Sequence, residues 1–374
     1  MQARPPVMLQ CVDIAGTSTR RIPLSVLDQS LVTAGHVPAQ AIRDSVTLAR
    51  ACEGFGYHRY WVSEHHGNAA MAGSAPEVLL GALAMATRTM RIGSAGVILP
   101  HYAPLKVAEQ FRVLEALAPG RIDLGLGRGP GADRQTAYAL RPDALDNPVS
   151  MSAMDSFPAN VEDTLALVRG EPLGDDHVFA GVFAQPRGPT APQPWILGSG
   201  KYSARLAGHL GLPFCQAHFF GSDSEASQAI GAYRAGFRAS PTLTEPLVGL
   251  CLIAMAAPTS AEAERLFLSY VPWRLSRDAG RMVPLQQPEH AIAAAVGLDQ
   301  DTIQRLRKTA VFGTPDEVFA RIAGLKTGYE IDEMVILAPA YELSVRMASY
   351  GLIAGINQTQ ATDDRPARAS EFWL

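Results

Sequence analysis

Three short segments carry the side chains best suited to chemistry: Glu64-His65-His66, the glycine-rich run 125–133 around Arg128, and the turn 198–203 with Ser199, Gly200 and Ser203. The first closes HRYWVSEHH (58–66), which reads as a strand, so neighbouring side chains face opposite ways. His65 then shares a face with Trp61 and Ser63, while Glu64 shares one with Tyr60 and Val62. An imidazole titrates near neutrality and can act as acid, base or hydrogen-bond partner beside a substrate. A metal-ligand role and a purely structural role stay open for this pair, although the HExxH spacing is absent.

The run GLGRGPGAD (125–133) contains Gly127-x-Gly129-x-x-Ala132, a superficial dinucleotide fingerprint that Pro130 interrupts. The physical reading is a tight, backbone-exposing turn with one permanent cation. Arg128 among free amides suits a phosphate or carboxylate; the alternative is a turn with a solvated arginine. In WILGSGKYSARLAG (195–208) a strand ends in Gly-Ser-Gly and runs directly into a helix. Unpaired amides at such an N-terminus, with the hydroxyls of Ser199 and Ser203, make an anion site, and Gly198 and Gly200 let a ligand approach the backbone; the alternative is a plain glycine turn with a serine cap. The segment is no Walker A loop, because Tyr202 follows Lys201 and Trp195 stands where that loop needs a glycine. Together the two segments suggest one phosphorylated ligand gripped between Arg128 and 199–203.

Strands and helices must alternate to position these residues. Apolar runs predict strands at 22–28, 58–66, 90–100, 120–127, 193–199, 213–220, 246–257 and 332–339. Helices are expected at 38–55, 76–88, 104–117, 158–170, 201–211, 222–237, 259–271, from Thr314, and at 341–355, with loops at 128–156. Strands apolar on both faces imply a parallel sheet covered by helices, and eight of them imply a single (β/α)8 TIM barrel. The barrel spans 22–357, between a flexible N-terminal extension (1–21) and a C-terminal tail (358–374), with a long insertion near 272–310. Active residues in such a barrel stand at the C-terminal strand ends. That rule selects Asp28, Glu64-His65-His66, Ser94-Ala95-Gly96, Arg128, the turn 199–203 and His218.

Composition narrows the partners. A 47% hydrophobic, 18% charged chain of 374 residues with net charge −4 has core enough to fold and no basic surplus for nucleic acid. No apolar run reaches membrane-spanning length, the N-terminus has no signal-peptide pattern, and the four cysteines form no CxxC. A reducing cytoplasm is the expected location.

YWVSEHH (60–66), GSAGVILP (93–100), VAEQFRVLEALAPGRIDLGLGRG (107–129), WILGSGKYSARLAGHLGLP (195–213) and VFGTPDEV (311–318) stand in the same order as segments of the bacterial luciferase-like flavin monooxygenases. The chain resembles that family from Ile22 to about Ala354, and its stand-alone subgroup more than the light-emitting heterodimers. The resemblance implies a (β/α)8 barrel that takes reduced FMN (FMNH2) from a separate NAD(P)H:flavin reductase. It implies reaction with O2 through a flavin C4a-hydroperoxide to oxidise a small, apolar organic substrate. It implies catalysis by His65, a non-proline cis peptide at Ala95-Gly96 beneath the flavin ring, and a phosphate held by Arg128, Ser199, Gly200 and Ser203. It also implies a homodimer built on helices 76–88 and 104–117, whose apolar faces suit core packing equally well. Gly127 replaces luciferase's reactive cysteine and Ser199 its glutamate, so light emission is not implied. The segment 272–310 resembles the family's active-site lid. Two alternatives are hydride transfer with deazaflavin F420, as in related barrels, and a non-catalytic flavin-binding protein.

Overall fold

The computed structural model describes residues 21–129, 131–142 and 156–362. The chain lays down strands β1 (Leu24–Asp28), β2 (Arg59–Val62), β3 (Arg91–Ser94), β4 (Val97–Ile98) and β5 (Ile122–Gly127). β6 (Gln193–Gly198), β7 (Phe214–Ala217), β8 (Val248–Ala256), β9 (Ala310–Gly313) and β10 (Glu333–Leu337) follow. Eight of them close a parallel barrel in the order β1, β2, β3, β5, β6, β7, β8, β10, with β10 pairing back onto β1. β4 continues beside β5 above β3, and β9 pairs with the C-terminal half of β8. The chain is thus a (β/α)8 TIM barrel.

Helices α1 (Ala39–Gly54), α2 (Pro76–Ala86), α3 (Pro104–Leu117), α4 (Arg134–Leu140) and α5 (Phe157–Arg169) come from the first half. α6 (Lys201–His209), α7 (Asp223–Gly236), α8 (Ser260–Asp278), α9 (Pro288–Ala295), α10 (Gln300–Thr309), α11 (Pro315–Tyr329) and α12 (Leu343–Thr362) come from the second. Local chemistry fixes several starts. Ser222 and Glu225 form a capping box on α7, and Thr314 and Glu317 another on α11, with Pro315 pre-set at its first position.

Strand alternation sorts two cores. Val26, Tyr60, Ile92, Leu124, Ile196 and Phe214 point outward and pack under the helices. Leu27, Trp61, Trp195, Cys215, Cys251 and Val335 point inward and fill the barrel. The edge-to-face pair Trp61–Trp195, with ring centroids 5.1 Å apart, plugs its middle. Below that pair lies a buried charged floor. Arg59 bonds Asp123 at 2.9 Å and Glu333 at 3.0 Å, and Arg91 and the Trp61 indole also bond Asp123, tying β2, β3, β5 and β10 together. Burial alone would raise both carboxyl groups, but Arg59 outweighs it and holds Glu333 at about 2.

The structure departs from the sequence reading where side-chain partners override local signals. The strand expected over 90–100 breaks at Ala95-Gly96 into β3 and β4. A short helix, α4, capped by Asp133, forms inside the expected loop 128–156; Pro130 and residues 143–155 of that loop lie outside the described residues. α8 does not stop at 271 but continues through Pro272, because Tyr270, Val271 and Trp273 are buried and Arg274 bonds Asp278 one turn on. The rest of the 272–310 insertion is mostly helical (α9 and α10), and Leu285, Ile303 and Leu306 join the barrel-interior cluster. Leu285 also exchanges backbone hydrogen bonds with Val32 and Ala34 after β1. The expected tail begins as helix, since α12 extends past Asn357 to Thr362. Residues 1–20 of the expected extension and 363–374 of the expected tail lie outside the described residues. No helix among the described residues is long and apolar enough to cross a membrane.

Candidate active site

The C-terminal ends of the strands open into a cavity of about 410 Å³, within the range of about 300–1,000 Å³ usual for small-molecule sites. His65, Ala95, Gly96, Arg128, Ser199, Gly200 and Ser203 all line it. They come from four stretches far apart in sequence, at the ends of β2, β3, β5 and β6. Trp61 and Ser63 line it too, so the face they share with His65 is the inward one.

His65 is held by its own backbone, whose N–H donates to the Gly73 carbonyl at 2.8 Å, and by a 3.1 Å hydrogen bond between Nδ1 and the Ser63 hydroxyl. Burial, with the positive charges of Arg277 and His66, pushes its pKa down to about 3. The imidazole is therefore neutral across the physiological range. Its two neighbours are tied into the scaffold, although Glu64 also lines the cavity. Glu64 accepts from His66 Nε2 at 2.7 Å, from the Tyr102 hydroxyl at 2.6 Å and from the Ile98 amide at 2.9 Å, clamping the end of β2 to the turn after β4. Among the described residues no group of three or more His, Cys, Asp or Glu side chains is arranged to hold a metal.

The Ala95–Gly96 peptide is cis and forms the wall between β3 and β4. A Cβ on Gly96 would stand 2.7 Å from Leu197 Cδ1 and 2.8 Å from the Gly125 carbonyl oxygen, so only glycine fits against β5 there. Ser94 fixes the approach to this bend by donating to the Gly125 carbonyl at 2.9 Å.

Arg128 and the start of α6 face each other across the cavity's far wall. The guanidinium lies 4.1 Å above the Tyr202 ring, and among the described residues it has no carboxylate partner. Gly200 is the N-cap of α6 and carries no capping side chain, leaving the first amides of the helix unclaimed by one. A Cβ added at Gly129 or Gly200 would meet nothing within 4 Å, so both present bare backbone. Gly198 has another purpose: a Cβ there would strike Ser203 at 2.5 Å, so the glycine lets Ser203 reach the strand end.

Two sequence candidates stand elsewhere. Asp28 points outward into the layer between barrel and helices, where Arg346 Nη2 (2.8 Å), the Tyr60 hydroxyl (2.7 Å) and the Ser30 amide hold it. His218 is buried in a single helical turn after β7, bonds Asp223 at 2.7 Å, and does not line the cavity. Two residues that sequence reasoning missed matter: Tyr202, whose ring carries Arg128, and Arg277, which stands over the rings of Phe219 and Phe220 at the rim. The aromatic at 202 is visible in the motif; Arg277 lies in the 272–310 insertion, beyond the helix expected at 259–271.

Residues 22–329 match the family model described as luciferase-like monooxygenase. The chain is 37% identical over 334 residues to an N-acetyl-S-alkylcysteine monooxygenase of Bacillus subtilis, an alignment covering 89% of this chain and 97% of that protein. It is 33% identical over 344 residues to a luciferase-like monooxygenase of Escherichia coli, covering 91% and 98%. Among solved structures, apo-MsnO8 superposes with a TM-score of 0.80 at 32% identity, covering 92% of this chain and all of that one.

Proposed function

The chain belongs to the luciferase-like monooxygenase family, and on that premise we propose that it is the oxygenating half of a two-component system. It would take reduced FMN from a separate NAD(P)H:flavin reductase and use O2 to oxidise a small organic substrate. One observation carries this reading: the seven residues expected to serve flavin and catalysis converge on a single cavity at the catalytic end of the barrel.

The residues suit the cofactor. Arg128, the open amides at the start of α6, and the hydroxyls of Ser199 and Ser203 match the dianionic phosphate in charge and donor type. Ala95 and Gly96 offer a flat, side-chain-poor wall for an aromatic ring system. When bound, reduced flavin supplies the electrons that activate oxygen. The protein's share is position and exclusion. His65, neutral and oriented by Ser63, can present a proton or a lone pair to the reacting centre without bringing a charge. Trp61 at the base of the cavity and Phe219 and Phe220 towards its mouth keep water from the oxidising species, while giving the apolar part of a substrate a surface to lie on. The relative that acts on N-acetyl-S-alkylcysteines makes a thioether the first substrate to try.

A homodimer fits the same reading. Val78 and Met85 on α2 are 71% and 76% exposed, and Val113 and Leu117 on α3 are half exposed, an apolar face on the helices expected to pair.

The test is anaerobic titration with reduced FMN and with reduced F420, then rapid mixing with oxygenated buffer under absorbance. Tight binding of reduced FMN and an oxygen-dependent transient distinct from reduced and oxidised flavin are expected. Preference for F420 with no such transient would move the assignment to hydride transfer. Binding of oxidised flavin without oxygen chemistry would leave a non-catalytic flavin protein.

A further inference from the structure

Arg277 is a charge with no hydrogen-bonded counterpart among the described residues. It lies in the last turn of α8, where its guanidinium stands 5.0 Å from the Phe220 ring, 5.6 Å from Phe219 and 5.7 Å from Trp273. Its Nη1 is buried with no acceptor, and among the described residues none of its side-chain nitrogens has a hydrogen-bond or ion-pair partner. The adjacent carboxylate makes no hydrogen bond to it: Asp278 Oδ1 accepts from Arg274 Nε at 2.8 Å, and the Tyr270 hydroxyl also lies on Arg274.

The position is as telling as the lack of a partner. Phe219 and Phe220 line the cavity from the β7 side, and His65, which feels the positive charge of Arg277, lines it from β2 on the opposite side of the barrel. Arg277 therefore stands against two rings that line the mouth, without itself being part of the lining. Arg128, by contrast, belongs to the far wall with Tyr202 at the ends of β5 and β6.

Aromatic rings engage a guanidinium through its face and leave its N–H edge available. A buried cation kept without a hydrogen-bonded anion is costly, and a carboxylate binding two of its N–H groups is the group that best offsets that cost. Burial and the neighbouring Arg274 lower the Arg277 pKa to about 10, which still leaves it charged at neutral pH.

We infer that Arg277 is an anion anchor for the molecule that enters the mouth, and that the substrate is an apolar body ending in a carboxylate. The carboxylate takes the Nε–Nη2 edge of Arg277, the nitrogens that are not closed off as Nη1 is, while the apolar part lies on Phe219, Phe220 and Trp61. The word substrate rests on the monooxygenase reading; the anion site does not.

The experiment is therefore a binding titration that needs no turnover. Matched acid and amide pairs (hexanoate and hexanamide, phenylacetate and phenylacetamide, benzylthioacetate and its amide) are titrated against the full chain by tryptophan fluorescence, with wild type, Arg277→Gln and Arg277→Lys. Wild type should bind at least one acid about tenfold or more tightly than its amide, as expected for a hydrogen bond to a charged group. Arg277→Gln should erase that preference, Arg277→Lys should keep part of it, and reduced-FMN affinity should be unchanged in both. Loss of FMN binding in Arg277→Gln would overturn the assignment by making Arg277 part of the phosphate site. Equal binding of acid and amide in every pair, including binding of neither, would also overturn it. Acid preference in a protein that shows no oxygen chemistry would uphold the anion site and sink the monooxygenase reading instead.

Discussion

Acidification from about pH 8 to about pH 5 should cost the wild-type protein about 2 kcal/mol that a His65→Gln variant does not lose. In the fold, burial and the charges of Arg277 and His66 set the His65 pKa at about 3, against an ordinary value of 6.5. The unfolded chain therefore accepts a proton below about pH 6.5 that the folded chain refuses until about pH 3. Stability is full above the unfolded value and falls as the pH drops through that window, by up to about 1.4 kcal/mol per pH unit from this one group. Glutamine removes the titration while keeping a polar group beside Ser63. Urea midpoints and slopes for both proteins at several pH values give the difference, in which other titrating groups cancel. The imidazole signals, followed by NMR and assigned by comparison with the variant, give the pKa directly. An inflection for His65 between about pH 6 and 7, or equal acid sensitivity in the two proteins, would refute the account of its environment. With His65 neutral down to about pH 3, any acid limb that activity shows near pH 6 has to come from another group.

Three further outcomes follow from the cavity. Arg128→Ala should weaken FMN binding about ten- to a hundredfold, as expected for loss of charge-assisted hydrogen bonds, with little change in the thermal midpoint; equal affinity would remove it from the phosphate site. Gly200→Val should fold normally, because its side chain meets nothing within 4 Å of the Cβ, yet lower FMN affinity; a destabilised protein or unchanged affinity would contradict the open backbone seen there. Met85→Glu combined with Val113→Asp should shift the protein from dimer to monomer in sedimentation velocity with its circular dichroism intact. An unshifted dimer would place the interface on another face.

The barrel was legible because its signals are local and repeated. Each strand announces itself by an apolar run, and the parity that puts Trp61, Ser63 and His65 on one face runs unbroken into the cavity. The phosphate-type turn was legible for a related reason, since glycine, serine and a helix start lie within six consecutive residues. What could not be read depends on partners distant in sequence. Asp28 stands at a strand end where the barrel rule would use it, but its parity turns it outward to Arg346, a partner 318 residues away. α8 overruns Pro272 because three aromatic and aliphatic side chains are buried around it, which no window of sequence displays. Arg277 inherits that difficulty: until the helix is known to continue, nothing brings it to the barrel.

Among the described residues, the charged floor beneath Trp61 and Trp195 closes the barrel below the cavity and leaves it one door, at the C-terminal strand ends. Whatever seats itself against Ala95 and Gly96 is enclosed behind whatever later settles on Phe219 and Phe220. Traffic through one door is a queue, with the first to arrive the last to leave. Two ligands sharing this mouth must then bind in compulsory order, and the outer ligand at high concentration must slow escape of the inner one.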